Sequence, residues 1–440
     1  MSLHKQAASV AIMHAADVLQ PLIILPYAGR VLGAYNFGLF AYAVAIGQIA
    51  TTIVDYGFHW TAQREAASAR RDPAVLSSLF ADVVATKAVL FLVVTTIGFV
   101  VAEGFFTINK ALFFYTMLPA AGGILFPAWL FIALERAWQA AIATVLARCL
   151  ALFAFLVVVT SPDEYQLAVG IQGLIPIVTG LISLPFVVPI GFRGFRSVTL
   201  SRVGAQLYAG WRGFLFALIE RALVSLPVPL VGHFAGYVAA GQYSVAEKFL
   251  SVARPFFRVV LDTFLPRVAY YAKHDPVAGL VLIRRTFLTL VLGVSLGLCL
   301  YFIAPYLIII FFGEEFSGAI PIVRLMSVIP VLMNANLCTS NLYMFNYGHE
   351  RAWTFLNVLG LIVFLSIACL LSSHLSDPTI GVVLGEIARE CIVFVVSAGF
   401  FLRFGPTTKQ TSLSDVAVGS LRSPATSIVP LWRDELHYKR

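Results

Sequence analysis

Within stretches apolar enough to cross a bilayer, the chain places eight basic and eight acidic side chains. Each buried charge costs at least roughly 2.5 kcal/mol on insertion scales, so sixteen of them cannot face lipid. They must line a wet cavity, pair with one another, or sit near span ends. The densest set is Glu247, Lys248, Arg254, Arg258 and Asp262. Spacings of 7, 4 and 4 put Glu247, Arg254, Arg258 and Asp262 on one face of a continuous helix, with Lys248 turned about 100° away. Two guanidinium groups one turn apart can receive an anion through paired, charge-assisted hydrogen bonds. The same spacing also makes a self-neutralising ladder, because Arg258 and Asp262 stand at i,i+4. Both readings are open at this level.

The other intramembrane charges divide in the same way. Lys87, Arg148, Arg221 and Arg324 are further candidate anion contacts, with Arg254, Arg258 and Lys248. Asp17, Asp55, Asp82, Glu220, Glu247 and Asp262 are candidates for coupling or gating. His14 and Asp17 share a face of the first span, and Gln48 and Asp55 a face of the second. Lys87 stands in the interior of the third span, where a cavity role competes with snorkelling to the interface. Asp55 lies near a span end, which suits water exposure or capping. Glu220-Arg221 and the set Glu386, Arg389, Glu390 can equally be packing pairs. Asn334, Asn336, Thr339, Ser340 and Asn341 make the tenth span polar, which fits either interhelical hydrogen bonding or sugar binding.

The elements that must position these groups are membrane helices. Hydrophobic residues make up 60% of the chain and charged ones 12%, with a mean hydropathy of +0.89. Soluble domains carry roughly 25% charged residues. The expected fold is an all-α polytopic membrane protein. Spans of about 20 apolar residues fall near 7–28, 37–58, 78–102, 111–133, 140–160 and 166–189. Six more fall near 212–233, 240–264, 286–311, 320–345, 353–373 and 380–402. The runs are too long, and alternate too little, for a β-barrel. The expected organisation is a first six-helix bundle over 1–190, a cytoplasmic linker over 191–211 that reads equally as a surface-lying amphipathic segment or an ordinary basic loop, a second bundle over 212–403, and a cytoplasmic tail over 404–440.

Lys and Arg mark the sides of the membrane. Arg64, Arg70, Arg71, Arg136, Arg193, Arg196, Arg202, Arg212, Arg267, Lys273, Arg284, Arg285 and Arg351 fall in alternate loops, with Lys5 and the basic tail on the same side. The opposite loops hold only Arg30 and Lys110. Both termini are therefore expected in the cytoplasm. The first run contains Asp17, Pro21 and Pro26 without a clear cleavage site and reads as an uncleaved span.

Echoes between the halves support a repeat in the same orientation. Ala28-Gly29-Arg30-Val31 resembles Ala235-Gly236-Tyr237-Val238, at the same spacing that separates Asp55 from Asp262. Asp72-Pro73 pairs with Asp275-Pro276, and Glu135-Arg136-Ala137-Trp138 recurs as Glu350-Arg351-Ala352-Trp353. There is no phosphate-binding glycine loop, no metal-ligand spacing, and no disulfide pattern among the five cysteines. Without an energy-transducing motif or a large outside loop, secondary transport without a cofactor leads, and an enzyme is not expected.

Leu25-Pro26-Tyr27, Arg30-Val31-Leu32-Gly33, Phe37-Gly38 and Asp55-Tyr56-Gly57-Phe58 resemble the opening of bacterial polysaccharide repeat-unit flippases of the Wzx type. Pro127-Ala128-Trp129-Leu130-Phe131 with Glu135, and Gly241-Gln242-Tyr243-Ser244-Val245-Ala246-Glu247-Lys248, are similar to later segments of that family. The resemblance implies the multidrug/oligosaccharidyl-lipid/polysaccharide exporter superfamily, with two pseudo-repeated six-helix bundles around a central cavity. It implies a substrate, an undecaprenyl-pyrophosphate-linked oligosaccharide, turned from the cytoplasmic to the periplasmic leaflet of the bacterial inner membrane for O-antigen or exopolysaccharide synthesis. Implied partners are this lipid-linked oligosaccharide, membrane lipids and the polysaccharide polymerase machinery, with no nucleic acid. A multidrug or small-solute antiporter of the same superfamily is one alternative, and a membrane-embedded polymerase or ligase another.

Topology can be read directly. Reporter fusions at Glu164 and Ser376 should report the periplasm, and fusions at Gly204 and Lys409 the cytoplasm. A periplasmic signal at Gly204 would contradict six spans in the first bundle.

Overall fold

The computed structural model describes residues 3–105, 109–188, 194–195 and 198–404. The tail over 405–440, and 191–193 and 196–197 of the linker, lie outside them. The first bundle comprises α1 (Leu3–Asp55), α2 (Phe58–Ser68), α3 (Pro73–Phe105), α4 (Lys110–Leu125), α5 (Ala128–Ala133), α6 (Ala137–Val158) and α7 (Tyr165–Val187). The second comprises α8 (Leu200–Ser225), α9 (Pro227–Ser251), α10 (Arg254–His274), α11 (Pro276–Thr286), α12 (Leu290–Phe302) and α13 (Ala304–Phe312). It continues through α14 (Ala319–Met326), α15 (Ile329–Asn336), a π-helical stretch Leu337–Met344, α16 (Glu350–His374) and α17 (Pro378–Phe404). No strand occurs among the described residues.

Among the described residues nine segments are long and apolar enough to cross a membrane. Two of them, Ala8–Ser68 and Leu200–His274, contain a sharp bend and so hold more than one span. α17, with Glu386, Arg389 and Glu390 in its interior, is too charged to be counted among the nine. About twelve crossings result.

Two glycines make the bends. Gly33 has φ 71° and ψ 168°, and Gly236 has φ 83° and ψ 175°. Side chains rarely adopt such a backbone, and glycine carries no Cβ to oppose it. Each bend turns one helix back along another without a loop. The Asp-Pro echoes are helix starts: Pro73 and Pro276 occupy the first turn, while Asp72 accepts from the Ala74 and Val75 N–H groups and Asp275 from that of Ala278. Both the bends and the Asp-Pro starts are separated by 203 residues. That register pairs Asp55 with Arg258, one helical turn from the Asp262 suggested by the Ala-Gly echo. Trp138 and Trp353 each lie in the first turn of a helix, second in α6 and fourth in α16, at a separation of 215 residues that departs from this register.

The bundles meet along the helices that follow the bends. Gly38 and Gly241 face each other there: a Cβ on Gly38 would lie 1.7 Å from the Tyr237 carbonyl oxygen, and one on Gly241 would lie 2.6 Å from that of Ala34. Phe37 and Phe316 pack edge to face at 5.4 Å, and Tyr35 and Tyr237 at 5.7 Å. At the same end Arg30 donates to the last carbonyls of α13, Phe311 at 2.9 Å and Ile310, while Glu315 accepts from the Ala34 N–H at 3.3 Å. A cation therefore caps one helix C-terminus and a carboxylate one helix N-terminus, each contact bridging the bundles. The bundles are sealed at this end.

Elsewhere the helices differ from the expected spans. The apolar run expected over 240–264 is interrupted by a turn at Val252-Ala253, and α10 begins at Arg254 with Pro255 in its first turn. The basic pair Arg284-Arg285, expected in a loop, lies in α11, whose segment extends over Pro276–Phe302 rather than 286–311. α8 runs without interruption from the end of the linker into the membrane segment and holds the first bundle: Arg202 donates to Ser78 and Asp82, and Tyr56 stacks on Phe214 at 4.4 Å.

Gly241→Val should force the bundles apart at the sealed end. A reporter cysteine at Asn36, in a background without other cysteines, should then label faster from that side, and transport should fall at least tenfold. The backbone contact exceeds ordinary overpacking of ~1–3 kcal/mol. Unchanged labelling and activity would show that this crossing is not the seal.

Candidate functional site

Away from the seal the bundles diverge around a chain of cavities. One of about 380 Å³ lies in the first bundle, among Gln20, Gln48, Thr51, Tyr115, Arg148 and Gln172. A second, of about 500 Å³, lies between the bundles and shares Thr52, Asp55 and Arg221 with the first. A third, of about 270 Å³, lies in the second bundle and shares Glu220, Val224 and Arg254 with the second. His59 and Trp60 connect the middle cavity to a vestibule of about 670 Å³ beside α2 and α5. A continuous polar tract thus crosses the centre of the molecule and opens opposite the Gly33 and Gly236 bends.

Most charges on this tract are paired. Asp17 meets Arg148 at 2.6 Å, and Arg148 also donates to Gln20, which in turn donates to Gln172. This network ties α1, α6 and α7 together. Lys87, with only 5% of its side chain exposed, meets Asp55 at 2.7 Å and donates to the Gly123 carbonyl at 2.9 Å. It is a buried strut between α1, α3 and α4, not the free cavity cation that its isolation in the sequence suggested. Glu247, buried, is shared by Lys248 at 3.3 Å and Arg254 at 3.1 Å. Arg389 is paired with its neighbour Glu390.

Arg221 differs. It donates to Gln48 across the bundle interface at 3.4 Å and has no carboxylate within salt-bridge distance among the described residues. Gln48 is also held by the Ser225 hydroxyl at 3.1 Å. Arg221 lines both the first and the middle cavity, while the adjacent Glu220 lines the middle and the third. Their one-residue offset on α8 sends them toward different bundles. They are not a packing pair.

The other candidates fall outside the tract. Arg258 and Asp262 pair with each other at 3.1 Å on an exposed face of α10, with side chains 73% and 57% exposed. The helix break at Val252-Ala253 separates this pair from Glu247. Only Arg254 of the two arginines reaches the cavities. Arg324 is exposed on α14 over the Tyr301 ring, 5.4 Å from its centre. Asp82 is engaged by Arg202 at 3.4 Å where α8 crosses α3. The polar tenth span divides in two. Asn334 and Thr339 bind neighbouring helices through Thr289 at 3.1 Å and Ser397 at 2.7 Å, whereas Asn336, Ser340 and Asn341 face the third cavity. Gln172, Trp353 and Asn357 were not singled out from the sequence as contacts, because an amide or indole in an apolar run looks like ordinary packing.

Among the described residues no group of three His, Cys, Asp or Glu side chains is placed to hold a metal ion. Outside the spans, Glu135 has its pKa lowered by the Arg70 hydrogen bond and charge at 2.9 Å. Backbone donors at Thr160 and Ser161 likewise lower that of Glu164 in its capping turn.

Arg221→Lys should reduce transport about tenfold and Arg221→Ala further, at normal expression, because a point charge lacks the planar fork. Arg258→Ala should leave transport within about twofold of wild type, as expected for an exposed ion pair. The reverse order of effects in a transport assay would return the site to α10. Asp55→Ala should lower stability by about 2 kcal/mol in a detergent melt. This is less than the ~3–5 kcal/mol of a fully buried pair, because Asp55 keeps some access to water.

Residues 3–272 match the model of the family described as "Polysaccharide biosynthesis protein". A protein named "Putative O-antigen transporter" in Escherichia coli (strain K12) is 24% identical over 400 residues, covering 89% of this chain and 95% of that one. Its namesake in Shigella dysenteriae is 23% identical over 358 residues, covering 80% and 89%. Among solved structures, an inward-facing multidrug resistance MATE family transporter of the MOP superfamily superposes with a TM-score of 0.69 at 14% identity, over 91% of this chain and 99% of that one. A Vibrio cholerae MATE transporter mutant gives 0.52 at 13% identity, over 91% and 96%. The fold is that of the MATE transporters, and the chain belongs to the polysaccharide biosynthesis protein family.

Proposed function

We propose that this protein moves undecaprenyl-pyrophosphate-linked oligosaccharide repeat units from the cytoplasmic to the periplasmic leaflet of a bacterial inner membrane. The observation that carries the reading is Arg221. Among the described residues it is a cavity-lining cation with no carboxylate within salt-bridge distance, set where the two bundles meet. A pyrophosphate is an acceptor for such a fork. Lys248 and Arg254 share a single carboxylate, so that an incoming anion can take one of them from Glu247. The amides and hydroxyls of the tract suit a hydrated oligosaccharide, while the polyprenyl tail stays in the bilayer.

The basic loops assign the open end to the cytoplasm and the sealed end to the periplasm. In this arrangement the substrate enters past His59 and Trp60. Alternating access then rocks one bundle against the other, closing the vestibule and parting the Gly38–Gly241 crossing. The names of the two curated relatives support a polysaccharide substrate. Both curated relatives carry the name of a transporter, which favours transport over a polymerase or ligase.

Deleting the gene should abolish or strongly reduce one surface polysaccharide and leave its lipid-linked repeat unit on the cytoplasmic leaflet. Wild type should restore export, and Arg221→Ala should not. Normal polysaccharide with altered drug sensitivity would support a multidrug antiporter instead.

A further inference from the structure

The third cavity has a chemistry of its own. Asn336 Oδ1 and Glu386 Oε2 are buried there and accept no hydrogen bond among the described residues. The remaining atoms of these groups are engaged: the Asn336 amide nitrogen donates to Glu390, and Glu386 Oε1 accepts from the Tyr243 hydroxyl at 2.8 Å. Two open acceptors call for a ligand that donates. An ionised pyrophosphate diester has no proton to donate, whereas a sugar hydroxyl both donates and accepts. Ser340 and Asn341 line the same wall with groups that can donate in return.

An aromatic platform completes the cavity. The Trp353 indole N–H is held by Asn341 Oδ1 at 3.2 Å, and its ring packs against Phe216 at 5.6 Å and Phe345 at 5.5 Å. Asn357 braces the same turn by donating to the Trp353 carbonyl at 2.9 Å. Trp353 is therefore a fixed surface that also lines the cavity. The polarised C–H groups on one face of a pyranose complement the negative face of an indole ring. The adjoining wall includes Ser340 and Asn341 of the π-helical stretch Leu337–Met344, and π-helical turns are frequent at functional sites.

We propose that this cavity is a monosaccharide subsite, in which one ring of the substrate stacks on Trp353 and hydrogen-bonds to Asn336, Ser340, Asn341 and Glu386. The inference rests on the flippase reading above. At about 270 Å³ the cavity lies just below the ~300 Å³ lower bound of drug-sized sites, which suits one ring and not a whole repeat unit. Because it shares Glu220 and Arg254 with the cavity that takes the pyrophosphate, the ring within reach is the one bonded to that group. The second bundle then reads the first sugar, while the bundle interface reads the phosphates.

The test compares two ligands on the purified full chain in nanodiscs. One is the lipid-linked repeat unit that accumulates in cells deleted for the gene, and the other is undecaprenyl pyrophosphate without sugar. Wild type should bind the glycosylated lipid more tightly. Trp353→Ala should weaken the glycosylated lipid about tenfold or more and leave the sugar-free lipid within about twofold. Asn357→Leu, which keeps the volume, should cost about fivefold, and Trp353→Phe about threefold, on the glycosylated lipid alone. Equal losses on both lipids, or none on either, would overturn the subsite while leaving the flippase reading in place. Wild type that binds neither lipid would overturn the flippase reading and the subsite with it.

Discussion

The molecule depends on a crossing in which two backbones touch. At Gly38 and Gly241 no side chain separates the helices that follow the two bends, and each glycine lies against a carbonyl of the other bundle. Helices in a bilayer gain little from apolar contact alone, because lipid is as apolar as the partner; close packing of small residues brings the backbones near enough to hold. A seal made at one end leaves the other free to diverge. The cavity, its charges and its opening all follow from that asymmetry.

Charge shapes the interior in a second way. Hydrocarbon penalises an unpaired ion, so the first bundle ties Asp17, Arg148, Gln20 and Gln172 into one network and Asp55 to Lys87. These contacts fix helix against helix. Pairing is incomplete nearer the interface: among the described residues Arg221 has an amide and no carboxylate within salt-bridge distance, Glu247 serves two cations, and Glu386 is held by the Tyr243 hydroxyl and no cation. A group left without a full partner inside a membrane protein is costly to keep. Such a group on a wet tract is a physical reason to propose a ligand there.

The fold was legible to a considerable depth. Long apolar runs can only be helices when no water is present to satisfy the backbone, and the Asp-Pro echo at Asp72 and Asp275 is visible in the sequence, although its role as a pair of helix starts is not. The site was legible only in outline. Arg254 and Arg258 look alike on a helical wheel, but Arg254 meets the buried Glu247, and Arg258 ends on the exposed surface beside Asp262. Lys87 looked free because its partner lies far away in sequence, on another helix.

The amino-acid sequence by itself determined the membrane class, the about twelve spans, the echo between the halves and the inventory of intramembrane charges. These follow from hydropathy and local spacing, which each segment carries alone. Tertiary structure decided which charges neutralise one another, which glycine in each half makes the bend, and that Arg221, not Arg258, stands in the cavity. Pairing in a low-dielectric interior is set by distances between helices remote in sequence, and helix periodicity contains no such distances.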